Sequence, residues 1–94
     1  MDKKNFSLGQ VVCTRSIANL MEEKPEFQEE ISQCLARYTL MDWGDLSEDD
    51  KQMNDKAISI EERILAAYDT SAGKIYIITE ADRSVSTILF LSEY

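Results

Sequence analysis

Acidic side chains crowd the middle of the chain and are the first candidates for chemistry. Lys51 is the one basic residue between positions 42 and 55, against six carboxylates: Asp42, Asp45, Glu48, Asp49, Asp50 and Asp55. A calcium loop beginning at Asp45 fails, because its sixth position is not Gly and Lys56 replaces the bidentate Glu at its twelfth. The run is either the solvated first turn of a helix or a negatively charged contact surface for a basic partner.

Trp43 is the only tryptophan and lies inside this acidic run, between Asp42 and Gly44. A tryptophan in a polar loop either packs back on the core, with its indole N–H hydrogen-bonded, or stays exposed as a platform for a base or a partner. A domain core this small needs its largest side chain. We therefore favour the anchor and keep the platform as the alternative.

A second charged segment, residues 79–84, separates two apolar runs near the end of the chain. Its simplest interpretation is a hairpin turn in which Glu80 or Asp82 pairs with Arg83. The functional interpretation makes Arg83 a fork for a phosphate or carboxylate, helped by the hydroxyls of nearby residues. Those hydroxyls belong to Thr79, Ser84 and Ser86.

Catalytic templates are missing from the sequence. There is no His, the commonest general base and metal ligand, and no glycine-rich nucleotide loop or nucleophile elbow. A carboxylate pair such as Glu80 and Asp82 in a turn is a very weak acid–base signal. We predict a non-enzymatic protein with no catalytic residues, no cofactor and no metal site.

Composition narrows the kind of partner and the compartment. The 94 residues carry 18 Asp+Glu against 10 Lys+Arg, a net charge of −8, which disfavours direct binding to nucleic acid. No apolar run is long enough to span a bilayer, and Met1–Asn5 precedes no apolar segment of a secretory signal. Cys13 and Cys34 lie among apolar residues and are interpreted as small buried hydrophobes rather than a disulfide pair. A cytoplasmic location is expected.

Three helices are expected to position these candidates. Thr14 or Ser16 can cap a first short helix that ends before Pro25. A second helix, residues 25–40, is indicated by an apolar stripe at helical spacing: Phe27, Ile31, Cys34, Leu35 and Tyr38. Ser47, followed by three acids, predicts the start of a third helix over residues 48–57.

Strand composition governs the last third of the chain. β-Branched and aromatic residues fill 63–68, 74–79 and 86–91, separated by turn clusters, which predicts a three-stranded antiparallel meander. Residues 8–14 form an early strand that could join the meander as a fourth. Residues 1–94 are thus expected to form a single α+β domain of two layers, in the order β-α-α-α-β-β-β, with helices two and three on the sheet.

Several segments together resemble a known group of short bacterial proteins. The resemblance covers nearly the whole chain and includes Asp-Trp-Gly-Asp at 42–45 and Ile-Thr-Glu-Ala-Asp-Arg at 78–83. Further segments that carry it lie at 8–15, 35–37, 54–55, 67–68, 87–90 and 93–94. Members of this group are encoded on plasmids, phages and other mobile elements of mostly Gram-positive bacteria and are often labelled plasmid-related.

What the resemblance implies is a context, since small accessory genes on mobile elements often encode inhibitors of host defence. In the first hypothesis, the chain binds a host defence protein, such as a nuclease, through an acidic surface that includes Asp45, Asp49 and Asp50. In the alternative, it is a sponge for an immune signalling nucleotide, with Trp43 stacking on the base and Arg83 binding phosphate. A regulatory interaction domain that needs neither site is the third option. The oligomeric state stays open, a homodimer included.

Overall fold

The computed structural model describes residues 6–94 as one two-layer α+β unit. The interpretation of residues 1–5 as something other than a secretory leader lies outside the described residues. The chain order β-α-α-α-β-β-β is confirmed. The elements are β1 (Gln10–Cys13), α1 (Arg15–Glu23), α2 (Pro25–Thr39), α3 (Glu48–Ile60), β2 (Ile64–Thr70), β3 (Gly73–Thr79), β4 (Val85–Phe90) and a final 3₁₀ turn (Leu91–Glu93).

The sheet contains the predicted meander plus the early strand, in the spatial order β1-β4-β3-β2. The β2, β3 and β4 strands pair antiparallel, with Thr70 opposite Gly73 across a two-residue loop. The β1 strand pairs parallel to β4, with Val12 opposite Thr87. A parallel neighbour requires a long connection, and here the three helices, β2 and β3 all lie between β1 and β4. Each of β1 and β2 therefore lies at an edge of the sheet.

Local capping fixes the helix starts where the sequence places them. Thr14, rather than Ser16, caps α1 by accepting a hydrogen bond from the Ile17 N–H, and Pro25 opens α2. The Ser47 hydroxyl caps α3 through the Asp50 N–H. The α3 helix runs three residues beyond its expected end at Ala57 and stops at Ile60, after which Glu61 adopts a left-handed conformation.

The core lies between one face of the sheet and the helices α1 and α2. Alternate strand residues supply the sheet side, with Ile64, Ile75, Ile77 and Ile88 almost fully buried. The predicted α2 stripe faces them; Leu35 is half-buried and its other members, Phe27, Ile31, Cys34 and Tyr38, are buried.

The placement of the first and third helices differs from the expectation. Ile17 of α1 is fully buried and α1 packs over β4, so α1 rather than α3 shares the sheet face with α2. The α3 helix lies beside β2, where only Asn54 and Ala57 are buried. The reason is its composition, since α3 has too few apolar residues to cover a sheet.

The two cysteines occupy different environments, and neither is in a disulfide. Cys34 is buried in α2, and burial raises the pKa of its thiol above the ordinary value. Cys13 lies in the edge strand β1, where it is half-buried and packs against the core, so its interpretation as a small buried hydrophobe is confirmed only in part.

Candidate functional site

The 42–45 segment lies between α2 and α3, and its first residue, Asp42, is hydrogen-bonded to three other residues. The Asp42 carboxylate accepts hydrogen bonds from the Arg37 guanidinium at 2.7 and 3.2 Å and from the Gly44 N–H at 3.2 Å. The hydrogen bond from Arg37 is the main reason that the pKa of Asp42 is lowered. The Tyr68 hydroxyl donates to the Asp42 carbonyl at 2.7 Å, and burial raises the pKa of that hydroxyl. Asp42 is thus engaged within the chain.

Trp43 occupies the anchor position. Its side chain is only 3% exposed, and its ring packs 5.5 Å from the Tyr38 ring and 5.9 Å from the Phe6 ring, between ring centres. The indole Nε1–H donates to the Asp55 carboxylate at 2.9 Å, so the buried N–H is satisfied. The same bond engages Asp55, one of the six central acids. Trp43 has no exposed ring face on which a base could stack.

The backbone of the same segment covers the outer edge of β2. The Ala67 N–H donates to the Trp43 carbonyl at 3.3 Å, and the Asp45 N–H donates to the Ala67 carbonyl at 2.7 Å. Gly44 has a φ of +78°, and a Cβ there would lie 2.0 Å from the Ala67 oxygen. Glycine is therefore required at this position, both for its left-handed backbone and for the close approach of the two chain segments.

Asn54 continues this edge cover, and sequence reasoning gave it no role. Its side-chain amide donates to the Leu65 carbonyl at 2.8 Å, and its carbonyl oxygen accepts from the Leu65 N–H at 3.3 Å. One side chain thereby replaces a missing neighbour strand at Leu65. The sequence offers one signal for this role. Asn54 and Ala57 are three residues apart and therefore share a face of α3, and this face is the buried one.

Arg83 is bound to backbone carbonyls rather than held free for an anion. Its guanidinium donates to the carbonyls of Ala57 at 3.0 Å and Glu62 at 2.7 Å, around the end of α3. It also donates to the carbonyls of Glu80 at 3.2 Å and Ala81 at 3.3 Å, within its own turn. A cation at a helix C-terminus is favourable, and this one joins α3 to the turn between β3 and β4.

The acids beside Arg83 pair elsewhere, so the expected Glu80–Arg83 or Asp82–Arg83 ion pair is wrong. Glu80 approaches Arg63 at 4.0 Å. Asp82 accepts from the Ser84 hydroxyl at 2.6 Å and the Ser84 N–H at 3.0 Å, and these hydrogen bonds lower the pKa of Asp82. The cause is the geometry of the Arg83 guanidinium, which points back to the carbonyls of the turn and of α3.

The hydroxyls expected to assist Arg83 are divided between the interior and the turn. The Tyr38 and Thr79 hydroxyls lie 2.7 Å apart, and the Thr79 and Ser86 hydroxyls 2.6 Å apart. The Ser86 hydroxyl also donates to the Leu8 carbonyl at 2.8 Å. Thr79 and Ser86 are fully buried, and burial raises the pKa of Tyr38 to about 12. This chain of hydroxyls links α2, β3 and β4 and faces no solvent.

The remaining central acids divide by whether a cation reaches them. The Lys74 ammonium binds the Asp45 carboxylate, and this hydrogen bond lowers the pKa of Asp45. Glu48 lies 3.6 Å from Lys51, one turn along α3. Asp49 and Asp50 are exposed and make no ion pair with any residue in the described part of the chain. We call the three residues Glu48, Asp49 and Asp50 the α3 acidic turn.

A groove of about 710 Å³ begins beside the α3 acidic turn and follows the side of α3 that faces Leu65 of β2. Asp50 lines its wall, and its apolar lining comes from Leu46, Met53, Ala57, Ile60 and Leu65. Met53 and Ile60 are large apolar side chains exposed to solvent. The charged lining of the groove is mixed, since Lys56 and Arg63 accompany Asp50 and Glu62.

Comparison of the chain with protein-family models, with curated proteins and with solved structures finds no match.

Two further observations concern the described part of the chain. None of the helices within residues 6–94 has the length and apolar composition needed to cross a bilayer. Nowhere in the same residues do three or more Cys, Asp or Glu side chains converge as a ligand set for a metal ion.

Proposed function

We propose that this chain is a non-enzymatic protein that binds a basic surface of a host defence protein through the α3 acidic turn and the groove beside it. The observation that carries the proposal is the exposure of Asp49 and Asp50 and their lack of an ion-pair partner among the described residues. They are exposed and unpaired in residues 6–94, whereas Asp42, Asp45 and Asp55 are engaged within the chain. Carboxylates left unpaired on a surface are free to attract and orient a cationic partner.

The charge around α3 supports this choice of surface. Eight of the 18 acids of the chain lie between residues 42 and 63, together with only three of its 10 basic residues. The basic residues of this stretch are Lys51, Lys56 and Arg63, and two of them approach acids of the chain, Glu48 and Glu80. Arg37, Lys74 and Arg83 approach this stretch from other segments and offset part of its charge. Asp49 and Asp50, unpaired within residues 6–94, therefore form the negative surface that would speed encounters with a basic partner at low salt.

The apolar lining of the groove can supply the binding affinity that charge alone does not. Ion pairs at an exposed rim set orientation and association rate, while buried apolar contacts supply most of the lasting affinity. Met53 lies one turn from Asp50, and Ile60 lies at the far end of α3. Both are exposed and line the groove, which fits a partner that presents an apolar side chain beside the Lys or Arg that approaches Asp50. Inhibition of the partner would follow from covering its basic groove.

The nucleotide sponge is the weaker candidate. The Trp43 ring is buried and its N–H is bound to Asp55, while the Arg83 guanidinium is bound to four carbonyls. Releasing either residue for a ligand would break contacts between elements of the fold. We place this mechanism second for that reason.

Capture from a bacterial host lysate tests the proposal. The tagged chain is used as bait, and both the captured proteins and the small molecules released on heating are identified by mass spectrometry. We expect a basic protein that is retained at low salt and lost as salt rises. A nucleotide in the released fraction, with no protein captured, would contradict the proposal.

A matched pair of variants locates the surface. Asp49→Lys with Asp50→Lys should abolish capture. Glu22→Lys with Glu23→Lys, at the exposed end of α1, makes the same change in charge and should leave capture intact. Equal loss with both pairs would mean that net charge alone, and not the α3 surface, attracts the protein.

A further inference from the structure

The two edges of the sheet differ in whether other segments of the chain hydrogen-bond to their outward backbone groups. On the β2 edge, the outward backbone groups of Leu65 and Ala67 are bound by the Asn54 amide and by the backbone of Trp43 and Asp45. This cover closes the edge to any further strand. On the β1 edge, no element among residues 6–94 lies outside the strand.

The backbone of β1 shows which of its groups face outward. The Gln10 N–H donates to the Ser84 carbonyl at 3.0 Å, and the Thr14 N–H donates to the Ile88 carbonyl at 3.1 Å. Backbone groups alternate in direction along a strand, so Val12 faces β4 as well, while Val11 and Cys13 face away from it. In residues 6–94 nothing outside the sheet hydrogen-bonds to the outward N–H and C=O groups of Val11 and Cys13.

The side chains of β1 do nothing to discourage pairing. Natural edge strands are commonly protected by Lys, Pro, a bulge or a cover. The strand Gln-Val-Val-Cys has no charge and no Pro, and its two valines are 42% and 36% exposed. An uncharged edge with outward amides and carbonyls is recognised by the backbone of another extended segment.

We infer that β1 pairs antiparallel with β1 of a second copy of this chain. The register that uses all outward groups places Val12 on the two-fold axis, opposite Val12 of the other copy, and Val11 opposite Cys13 of the other copy. This register makes four main-chain hydrogen bonds and joins two four-stranded sheets into one of eight strands. It is isologous, as a two-fold dimer requires.

Two features favour a second copy as the occupant. The register is self-complementary without shifting any residue, and it sets two exposed valines against each other at about 4.5 Å between Cα atoms. The Val12 side chain lies beside Thr87 on the sheet face away from α1 and α2, so pairing brings the two exposed Val12 side chains into contact on that face. A four-residue edge buries far less than the ~1,200 Å² of a stable interface, so the dimer is weak and reversible.

Cysteine cross-linking tests the register directly. In a chain carrying Cys13→Ser and Cys34→Ala, Val12→Cys should give a covalent dimer under mild oxidation, since the paired Cα atoms lie within disulfide range. Val11→Cys in the same background is the matched control, because the Cα atoms of position 11 in the two copies would lie roughly 8 Å apart, beyond that range. Equal cross-linking of the two variants, or none in either, would overturn the inference.

Sedimentation equilibrium of the native chain tests the dimer without new cysteines. The mass should rise with concentration from 10.8 kDa towards twice that value. Val12→Lys, which brings two ammonium groups together on the axis, should keep the mass monomeric at every concentration while circular dichroism stays native. A native chain that remains monomeric, or a Val12→Lys chain that still dimerises, would show that β1 does not pair with itself.

Salt separates this inference from the proposed function. Two copies of net charge −8 repel, so added salt should strengthen the dimer. The same salt should weaken capture of a basic protein through the α3 acidic turn. A dimer that weakens as salt rises would contradict pairing through an uncharged strand, whatever the fate of capture.

Discussion

The 42–45 segment and the α3 acidic turn are neighbours in sequence and alike in composition, yet the fold uses them in opposite ways. In the first, Asp42 and Asp45 bind Arg37 and Lys74, and the backbone closes the edge of β2. In the second, Asp49 and Asp50 face solvent. A run of acids is thus not one feature, since what each acid does depends on whether a cation or a backbone donor lies within reach. Substitutions in the first region should cost folding stability, and those in the second should cost binding.

The largest loss is expected from Trp43→Ala. It would leave a cavity between Tyr38 and Phe6 and leave Asp55 without its donor, at a cost of about 3–5 kcal/mol. Urea unfolding measures the change. Leu40→Ala, at a side chain 68% exposed just before the segment, should stay within about 0.5 kcal/mol. Equal costs at the two positions would place Trp43 outside the core.

Gly44→Ala should follow, with a cost of about 2–5 kcal/mol. The new methyl would combine left-handed backbone strain with overlap against the Ala67 carbonyl. Gly73→Ala is the matched control, because its φ is also positive but no atom lies within 4 Å of the new Cβ. The control should lose only the strain of its own positive φ, about 1–3 kcal/mol. If both variants lose the same stability by thermal unfolding, the close approach at Gly44 is not energetically important.

Arg83→Lys is expected to cost about 1–2 kcal/mol. An ammonium group keeps the charge, but it has three donors on one nitrogen and cannot serve the four carbonyls that the two guanidinium nitrogens reach. Arg15→Lys, at an exposed arginine of α1, should change the free energy of unfolding very little. Capture of the partner below the unfolding midpoint should survive Arg83→Lys. Loss of capture by a fully folded Arg83→Lys chain would place Arg83 in the binding surface and contradict its purely structural role.

Acidification should destabilise the fold through Asp42 and Asp45. Their pKa values are lowered by Arg37 and Lys74, so their contribution to stability is complete above the ordinary carboxyl pKa of about 3.9. It is lost as pH falls through the lower values of the folded state. Thermal unfolding between about pH 5 and pH 2 should show a falling midpoint. Asp42→Asn with Asp45→Asn should reduce that fall, and an unchanged slope would mean that these pairs do not stabilise the fold.

The smallest effect on stability is expected in the α3 acidic turn. Asp49→Asn with Asp50→Asn removes charges that favour a helix N-terminus, a loss of no more than about 1 kcal/mol. The Ser47 cap and the buried residues of α3 are left in place. Urea unfolding checks the value. A cost as large as that of Trp43→Ala would mean that these acids serve the fold, and the contrast between the two regions would disappear.

The local elements of this fold are predictable from its sequence because each carries its own pattern. The α2 stripe from Phe27 to Tyr38 has helical spacing, and Pro25 and Ser47 mark helix starts. The parallel placement of β1 beside β4 is not predictable in this way, since alternation along a strand does not say which strand becomes its neighbour. The position of α3 at the sheet edge is also a property of the assembled fold.

Within the candidate site, sequence composition predicts the burial of a side chain but not its hydrogen-bond partners. The burial of Trp43 follows from the need of a small core for its largest side chain. The carbonyl contacts of Arg83 do not follow from sequence, because Ala57 lies 26 positions away and no local pattern connects the two residues. Asn54 was missed for the same reason, since its partner Leu65 becomes its neighbour only when α3 lies against β2.

The most direct test of the account is the affinity of the captured partner for three forms of the chain. Binding is measured by calorimetry for the native chain, for Asp49→Lys with Asp50→Lys, and for Glu22→Lys with Glu23→Lys. Reversal in the α3 acidic turn should weaken binding by at least about tenfold, or ~1.4 kcal/mol, while the α1 control should stay within about threefold of native. Native affinity in the α3 variant, with all three chains folded, would contradict the account.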